Sequence, residues 1–255
     1  MEHSVFKFSK DIALPSLCFS KERCYKYATV ACMKGCYTNK LYSAFDTKHA
    51  MSDIDVRNTQ WFLKSSPIDF RKEFQKLPLF MRFQKRFRYA TRGETITKEK
   101  DLNKVIEIAK LNPDVQFMLP TRAWRKGRTK RQFDALLATL TGKAVINKYR
   151  HYMGSKNTDP MKEHSGIGRL ASKLVEASKL KNLKILCSID ESTSEKEVDS
   201  LTKLGLSTMY FGDDSKTEGR FLCPKTHNKG EDITCVNCVG GCFSDVQIHV
   251  HLKKH

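Results

Sequence analysis

Long apolar runs are missing from this sequence. The longest extend only a few residues, far below the roughly 18 needed to cross a bilayer, so a membrane-spanning chain is excluded. No apolar leader follows Met1, and the expectation is a chain that stays in a reducing cytoplasm. There is no G-x-G-x-x-G after a strand and no G-x4-G-K-[ST], which argues against a dinucleotide or P-loop site. Acidic residues are scarce beside basic ones: 28 Asp+Glu face 46 Lys+Arg, a net charge of +18. What is present is globular in composition, 40% hydrophobic and 29% charged over 255 residues. A mostly disordered chain is excluded, and the length suits one large domain or two small ones.

A net charge of +18 is usually sustained by binding a polyanion. Nucleic acid is the first candidate, and no basic amphipathic helix supports a membrane surface instead. The basic residues cluster. Arg71, Lys72, Lys76, Arg82, Lys85, Arg86, Arg88 and Arg92 share a stretch with one acid, Glu73. Arg122, Arg125, Lys126, Arg128, Lys130, Arg131, Lys143, Lys148 and Arg150 share another with only Asp134. Such side chains can hold phosphates while interleaved aromatics stack on unpaired bases. Phe83, Phe87 and Tyr89 read better as strand core. Trp124, between Arg122 and Arg125 in a polar loop, is harder to explain as core.

The nine cysteines form two groups and one singleton. Cys18, Cys24, Cys32 and Cys36 lie early; Cys223, Cys235, Cys238 and Cys242 lie late; Cys187 reads as a buried small hydrophobe. Without a route to an oxidising compartment, groups of four point to metal ligation rather than disulfides. The late group contains a Cys235-x2-Cys238 knuckle followed by Gly240 and Gly241, a zinc-like pattern. The early group is looser and lacks the C-x3-C-x2-C spacing of a radical S-adenosylmethionine cluster. His227, His249, His251 and His255 lie near the late cysteines. One of them could be a further ligand, but surface positions are the commoner reading.

From about residue 81 strands and helices alternate. Strands are expected over Arg82–Thr91, Val115–Leu119, Ala144–Tyr149, Leu183–Ile189 and Ser207–Phe211. Helices are expected over 98–111, 130–140 and 167–180, each with apolar residues at helical spacing. A further helix starts at Ser194, where Glu197 completes a capping box, and stops at Gly205. Val246–Leu252 reads as a half-exposed last strand. Such alternation implies a parallel sheet with crossover helices. An open doubly wound sheet is one choice. A (β/α) barrel-like fold, complete or incomplete, is preferred, because polar groups recur at strand C-terminal ends. The division is a cysteine-containing segment over 1–80, a repeat core over 81–222, and a cysteine-rich metal-binding segment with the last strand over 223–255.

If the sheet is parallel, one rim collects Glu94, Asp190 and Asp213 among Arg92, Arg122 and Arg150. Carboxylates in that field stay ionised and can act as nucleophile or base, while the cations hold phosphate or polarise a carbonyl. The plainer alternatives are a solvated loop for Glu94, a helix-dipole role for Asp190 and turn formation for Asp213 and Asp214.

Several segments resemble a phage family known as gene product eighty-eight. They are Cys32-Met33-Lys34-Gly35-Cys36-Tyr37, the Gly93-Glu94 pair, the stretch Ile108–Arg122, the strand end Ser188–Asp190, Cys223-Pro224, and the late cysteines. That family is similar to 7-deazaguanine DNA transglycosylases and, through them, to tRNA-guanine transglycosylases. The resemblance implies a barrel, a zinc site in the late cysteines, DNA and a 7-deazaguanine base as partners, and exchange of guanine through a carboxylate nucleophile. It makes Asp190 the nucleophile and Glu94 the second acid, though the family pattern has Asp at that second position. Arg92, Arg122, Trp124, Arg150 and Asp213 would line the substrate site. Arg125, Lys126, Arg128, Lys130, Arg86 and Arg88 would hold DNA with a flipped base. Two other classes stay open: an iron–sulfur enzyme of radical type using the early cysteines, and a non-enzymatic zinc protein that binds nucleic acid.

Overall fold

The computed structural model describes residues 5–9, 13–45, 50–140, 166–214, 217–227, 233–238 and 240–253. The expected strand Ala144–Tyr149 lies outside these, as do Lys143, Lys148, Arg150 and His255. Eight strands form one sheet: β1 (Lys7–Ser9), β2 (Leu14–Leu17), β3 (Arg86–Tyr89), β4 (Gln116–Thr121), β5 (Leu183–Asp190), β6 (Ser207–Gly212), β7 (Phe221–Leu222) and β8 (His249–Lys253). Their order is β1-β2-β3-β4-β5-β6-β8-β7. Among the described residues only β1 pairs antiparallel; the other seven strands are mutually parallel.

The α/β class and the parallel sheet are as expected. A closed barrel is not formed: β1 and β7 are edges, and among the described residues no ladder joins them. Strands β2 to β6 add in chain order, as barrel strands do. The short β7 then lies outside β8 and ends the sheet.

Helix positions follow from caps and apolar spacing. Around the early cysteines a 3-10 turn (Lys21–Lys26) leads to α1 (Val30–Lys34) and α2 (Tyr37–Phe45). Then come α3 (Ala50–Lys64), α4 (Pro67–Gln75) and α5 (Leu79–Phe83). Pro67 is the first residue of α4, where its missing N–H costs nothing. The crossover helices are α6 (Glu99–Leu111), α7 (Lys130–Leu140), α8 (Ala171–Ser178) and α9 (Glu195–Lys203), with a short α10 (Pro224–His227) late in the chain. Ser194 and Glu197 form the expected capping box of α9, and Gly205 takes φ 76° just after it.

The two faces of the sheet are covered differently. Phe117 and Leu119 of β4, Leu183, Ile185, Cys187 and Ile189 of β5, and Tyr210 of β6 join one core with Leu102, Val105 and Ile108 of α6, Leu174 of α8 and Leu201 of α9. The alternate residues Met118, Leu186 and Met209 form a separate cluster under Cys242, Phe243 and Ile248. The late cysteine segment therefore roofs the face that the helices leave open. β5 is buried along its whole length, as expected for a strand covered on both faces.

The cysteine-containing segment over 1–80 supplies two strands and much of the aromatic core. Phe6, Phe19, Phe62, Phe70 and Phe74 pack with Phe87, Tyr89 and Phe117. Phe70 is fully buried, its ring centroid 4.8 Å from Phe6, 4.9 Å from Phe87 and 5.4 Å from Phe117. Phe83 was placed in a strand core; it lies instead in α5 and is 72% exposed. Truncating a fully enclosed phenylalanine removes its burial and leaves a void, at about 3–5 kcal/mol. We therefore expect Phe70→Ala to lower unfolding free energy by about that amount in urea titrations, and Phe83→Ala to change it by less than about 0.5 kcal/mol.

Candidate functional site

Parallel strands bring their C-terminal ends to one edge, and the first loop to reach that edge follows β2. It holds Cys24, Cys32 and Cys36. Thr29 caps α1, its hydroxyl accepting from Cys32 N at 2.9 Å. The same hydroxyl donates to Asp190 Oδ2 at 2.6 Å, so the cysteine-bearing turn is tied to the end of β5.

Arg122, just past β4, reaches across to Asp190, Nη1 to Oδ2, at 2.6 Å. Both side chains are largely buried, 12% and 4% exposed. The other oxygen, Oδ1, accepts from Ser192 N at 3.0 Å and Ser192 Oγ at 2.6 Å. Burial alone would raise the Asp190 pKa. The Arg122 guanidinium, with the hydroxyls of Ser192 and Thr29, overcomes it and holds the group down at about 2.

Glu94 is buried one loop away and is not the solvated residue of the plainer alternative. It accepts from Ile96 N, Thr121 Oγ1 and Arg122 N at 3.0, 2.8 and 2.9 Å. Burial raises its pKa, and these donors oppose the shift. The preceding Gly93 takes φ 72°, and a Cβ there would meet the Phe19 carbonyl oxygen at 2.3 Å. Glycine is what lets the loop press onto the chain after β2.

Cys24 and Cys32 lie within electrostatic reach of these groups, and Cys36 of those two thiols. Burial raises the Cys24 thiol, with Cys32, Glu94 and Cys36 adding and Arg122 opposing. Burial also raises Cys32, where Arg122 opposes and Cys36 and Asp190 add. Arg122 stays charged despite burial because Cys32, Asp190 and Glu94 face it. Of the early group Cys18 is engaged elsewhere, its sulfur 2.7 Å from Thr91 Oγ1.

The structure redistributes the other rim residues. Arg92 forms a two-pronged pair with Asp55, Nε to Oδ2 at 2.6 Å and Nη2 to Oδ1 at 2.8 Å, and Tyr42 OH donates to the same carboxylate at 2.7 Å. Asp55 is fully buried on α3. Sequence reading missed it, because nothing local marks an aspartate 37 residues from its arginine. Trp124 does not offer a stacking face: it is fully buried, and its Nε1 donates to the Ser188 carbonyl at 2.9 Å. Asp213 is exposed after β6, its backbone carbonyl 2.7 Å from His251 Nε2.

The expected nucleic-acid cations divide likewise. Arg125 and Arg128 are buried, and Arg128 donates to the Ala28 carbonyl. Arg86 donates to the Cys235 and Val236 carbonyls, each at 2.9 Å, so it holds the late cysteine segment rather than facing solvent. Arg88, half-buried, lies near Cys235 and Cys242. Lys126 and Lys130 are exposed, and Lys130 pairs with Asp134 at 2.6 Å.

The late cysteines also gather. Burial, then Cys235, Cys223 and Cys238, pushes the Cys242 thiol up to about 12, against Arg88. Burial raises Cys235, with Arg88 and Arg86 lowering it and Cys223 and Cys238 raising it. His251, expected at the surface, is fully buried on β8. Among the described residues, Asp214, His227 and His251 are the group whose three ligand atoms lie within 4.8 Å of one another; the cysteine groups are wider. No helix among the described residues is long and apolar enough to cross a membrane.

A family model described as Gene product 88 matches residues 6–238. No curated protein and no solved structure matches the chain.

The folded-state pKa of about 2 for Asp190 lies below the 3.8 of a free aspartate. Its contribution, about 2 kcal/mol, is therefore present above pH 4 and fades as pH falls from about 4 to about 2. Asp190→Asn is expected to flatten the fall in unfolding free energy across that window, measured by urea titration at stepped pH. An equally steep fall in the variant would mean that other carboxylates carry it.

Proposed function

The chain belongs to the Gene product 88 family, and we propose that it is an iron–sulfur enzyme acting on nucleic acid, with Cys24, Cys32 and Cys36 as cluster ligands. The observation that carries this is that Cys24 and Cys32 lie within electrostatic reach of Arg122, with Cys36 close to both, where the parallel strands end. Iron–sulfur ligands are thiolates, and a buried anionic set needs a fixed cation close by. Arg122 is that cation. Three protein thiolates leave one iron of a four-iron cluster without a protein ligand. When bound, such a cluster supplies an electron donor and an open Lewis-acid position.

The protein's own groups have distinct tasks. Asp190 is a positioning residue: it orients Arg122 and, through Thr29, the turn that carries Cys32. Glu94 fixes the backbone at Arg122. The late cysteines, flanked by Arg86 and Arg88, suit a structural zinc that secures the roof of the second face. A net charge of +18 and the exposed Lys126, Lys130 and Arg131 suit a polyanionic substrate.

A second reading, exchange of guanine in DNA for a 7-deazaguanine with Asp190 as nucleophile, is favoured by one observation: Asp190 stays ionised at a strand end. Its occupancy counts against it. A carboxylate offers about four lone-pair sites, and Arg122 Nη1, Thr29 Oγ1, Ser192 N and Ser192 Oγ already occupy Asp190.

Anaerobically purified protein is expected to contain iron and sulfide in equal amounts and to absorb near about 400 nm. Cys24→Ser, Cys32→Ser and Cys36→Ser should each abolish that absorbance, while Cys18→Ser retains it. Zinc in place of iron would overturn the proposal. An assay of guanine exchange, with Asp190→Asn as control, would then separate the transglycosylase from a nucleic-acid-binding zinc protein.

A further inference from the structure

A third ligand group lies at the far side of the sheet from the early cysteines in chain order. It combines the turn after β6, the end of α10 and the middle of β8. His251 Nε2 is 2.7 Å from the Asp213 carbonyl oxygen. A carbonyl only accepts, so Nε2 carries the hydrogen and Nδ1 is the nitrogen whose lone pair can accept or ligate. That Nδ1 faces His227 Nε2 at 2.8 Å. Asp214 completes the group. Its Oδ2 accepts from Lys253 Nζ at 2.5 Å, while Oδ1 faces His227 Nδ1 at 3.9 Å. The lysine engages one carboxylate oxygen and leaves the other toward the imidazoles.

We propose that Asp214, His227 and His251 form a binding site for a divalent transition metal, distinct from both cysteine groups. Two imidazoles and one carboxylate suit zinc by ligand type. The three ligand atoms already lie within 4.8 Å of one another. Zinc bonds to nitrogen and carboxylate oxygen are about 2.0–2.2 Å, so binding draws them inward. Asp214 is the exposed member and can rotate to meet an ion. The hydrogen bond from Nε2 to the Asp213 carbonyl is the outer-shell contact that fixes a metal-bound histidine's tautomer and ring plane. Binding breaks the His227–His251 hydrogen bond, and its proton moves to the other His227 nitrogen or to solvent.

Three protein ligands leave a fourth position for water or a small anion. The ion would also tie α10 to β8. Because α10 starts directly after Cys223, it would anchor the first late cysteine independently of that cysteine's own ligation.

The test uses the full chain with its cysteine groups already loaded with metal, dialysed to equilibrium against micromolar zinc. The native protein is expected to take up one zinc more than His227→Ala, and Asp214→Asn to bind that zinc at least about tenfold more weakly. Asp214 is exposed, so its substitution reads the site even if His227→Ala misfolds. Cobalt in the same position should show ligand-field bands without sulfur-to-metal charge transfer. Equal zinc uptake by native protein and both variants, or cobalt bound only with sulfur charge transfer, would overturn the proposal.

Discussion

The Arg122–Asp190 ion pair is the contact on which the organisation of the candidate site depends. It closes the gap between the ends of β4 and β5, and each partner recruits a further segment. Asp190 takes Thr29 and with it the turn of Cys32; Arg122 presents its N–H to Glu94 and its guanidinium to the thiols. Charges taken out of water are costly unless their remaining hydrogen-bonding capacity is filled. Here the carboxylate has four donors. Removing either partner would leave an uncompensated buried charge, typically a cost of about 3–5 kcal/mol. Retention of such a pair at a strand end, where hydrophobic packing would be cheaper, fits a site that needs a permanent positive charge beside sulfur.

A second constraint follows from the sheet being parallel and open. Crossover helices cover one face only, so Met118, Leu186 and Met209 need another cover. The late segment provides it with few apolar groups, chiefly Phe243 and Ile248. A short polar segment holds such a position poorly by burial alone. Arg86 supports it by donating to the Cys235 and Val236 carbonyls, and its guanidinium lies 5.3 Å from the Phe243 ring centre. Ligation by the four cysteines would supply what the apolar contacts lack, as in small metal-dependent folds.

The elements legible in the sequence are those whose cause is local. β5 is a largely apolar run, α9 carries its own capping box and glycine stop, and α7 spans the residues its apolar spacing marks. Less legible were elements whose cause is distant. β2 is a four-residue strand containing Pro15, and only its pairing with β1 and β3 makes it one. The openness of the sheet depends on where β7 lands beside β8, which periodicity does not encode. In the site, the convergence of Glu94, Arg122 and Asp190 followed from parallel strands alone. That Cys18 stands apart, that Trp124 faces inward and that Asp55 claims Arg92 are decided by packing between segments far apart in the chain.

The same distinction governs the charge. Counted along the sequence, the two basic runs look like one surface for nucleic acid. In the fold Arg86, Arg92, Arg122, Arg125 and Arg128 turn toward carbonyls, carboxylates and thiols, while Arg71, Lys85, Lys126 and Arg131 remain at the surface. Arginine suits the inner positions because its planar guanidinium satisfies several acceptors at once and keeps its charge when buried. The buried arginines answer to internal anions, and loading both cysteine groups with thiolate-bound metal would add more. Any polyanion the protein binds would therefore meet the outer cations and not these buried arginines. Metal ligation at the cysteines and polyanion binding at the surface, as proposed, would draw on separate sets of positive charge and would not compete.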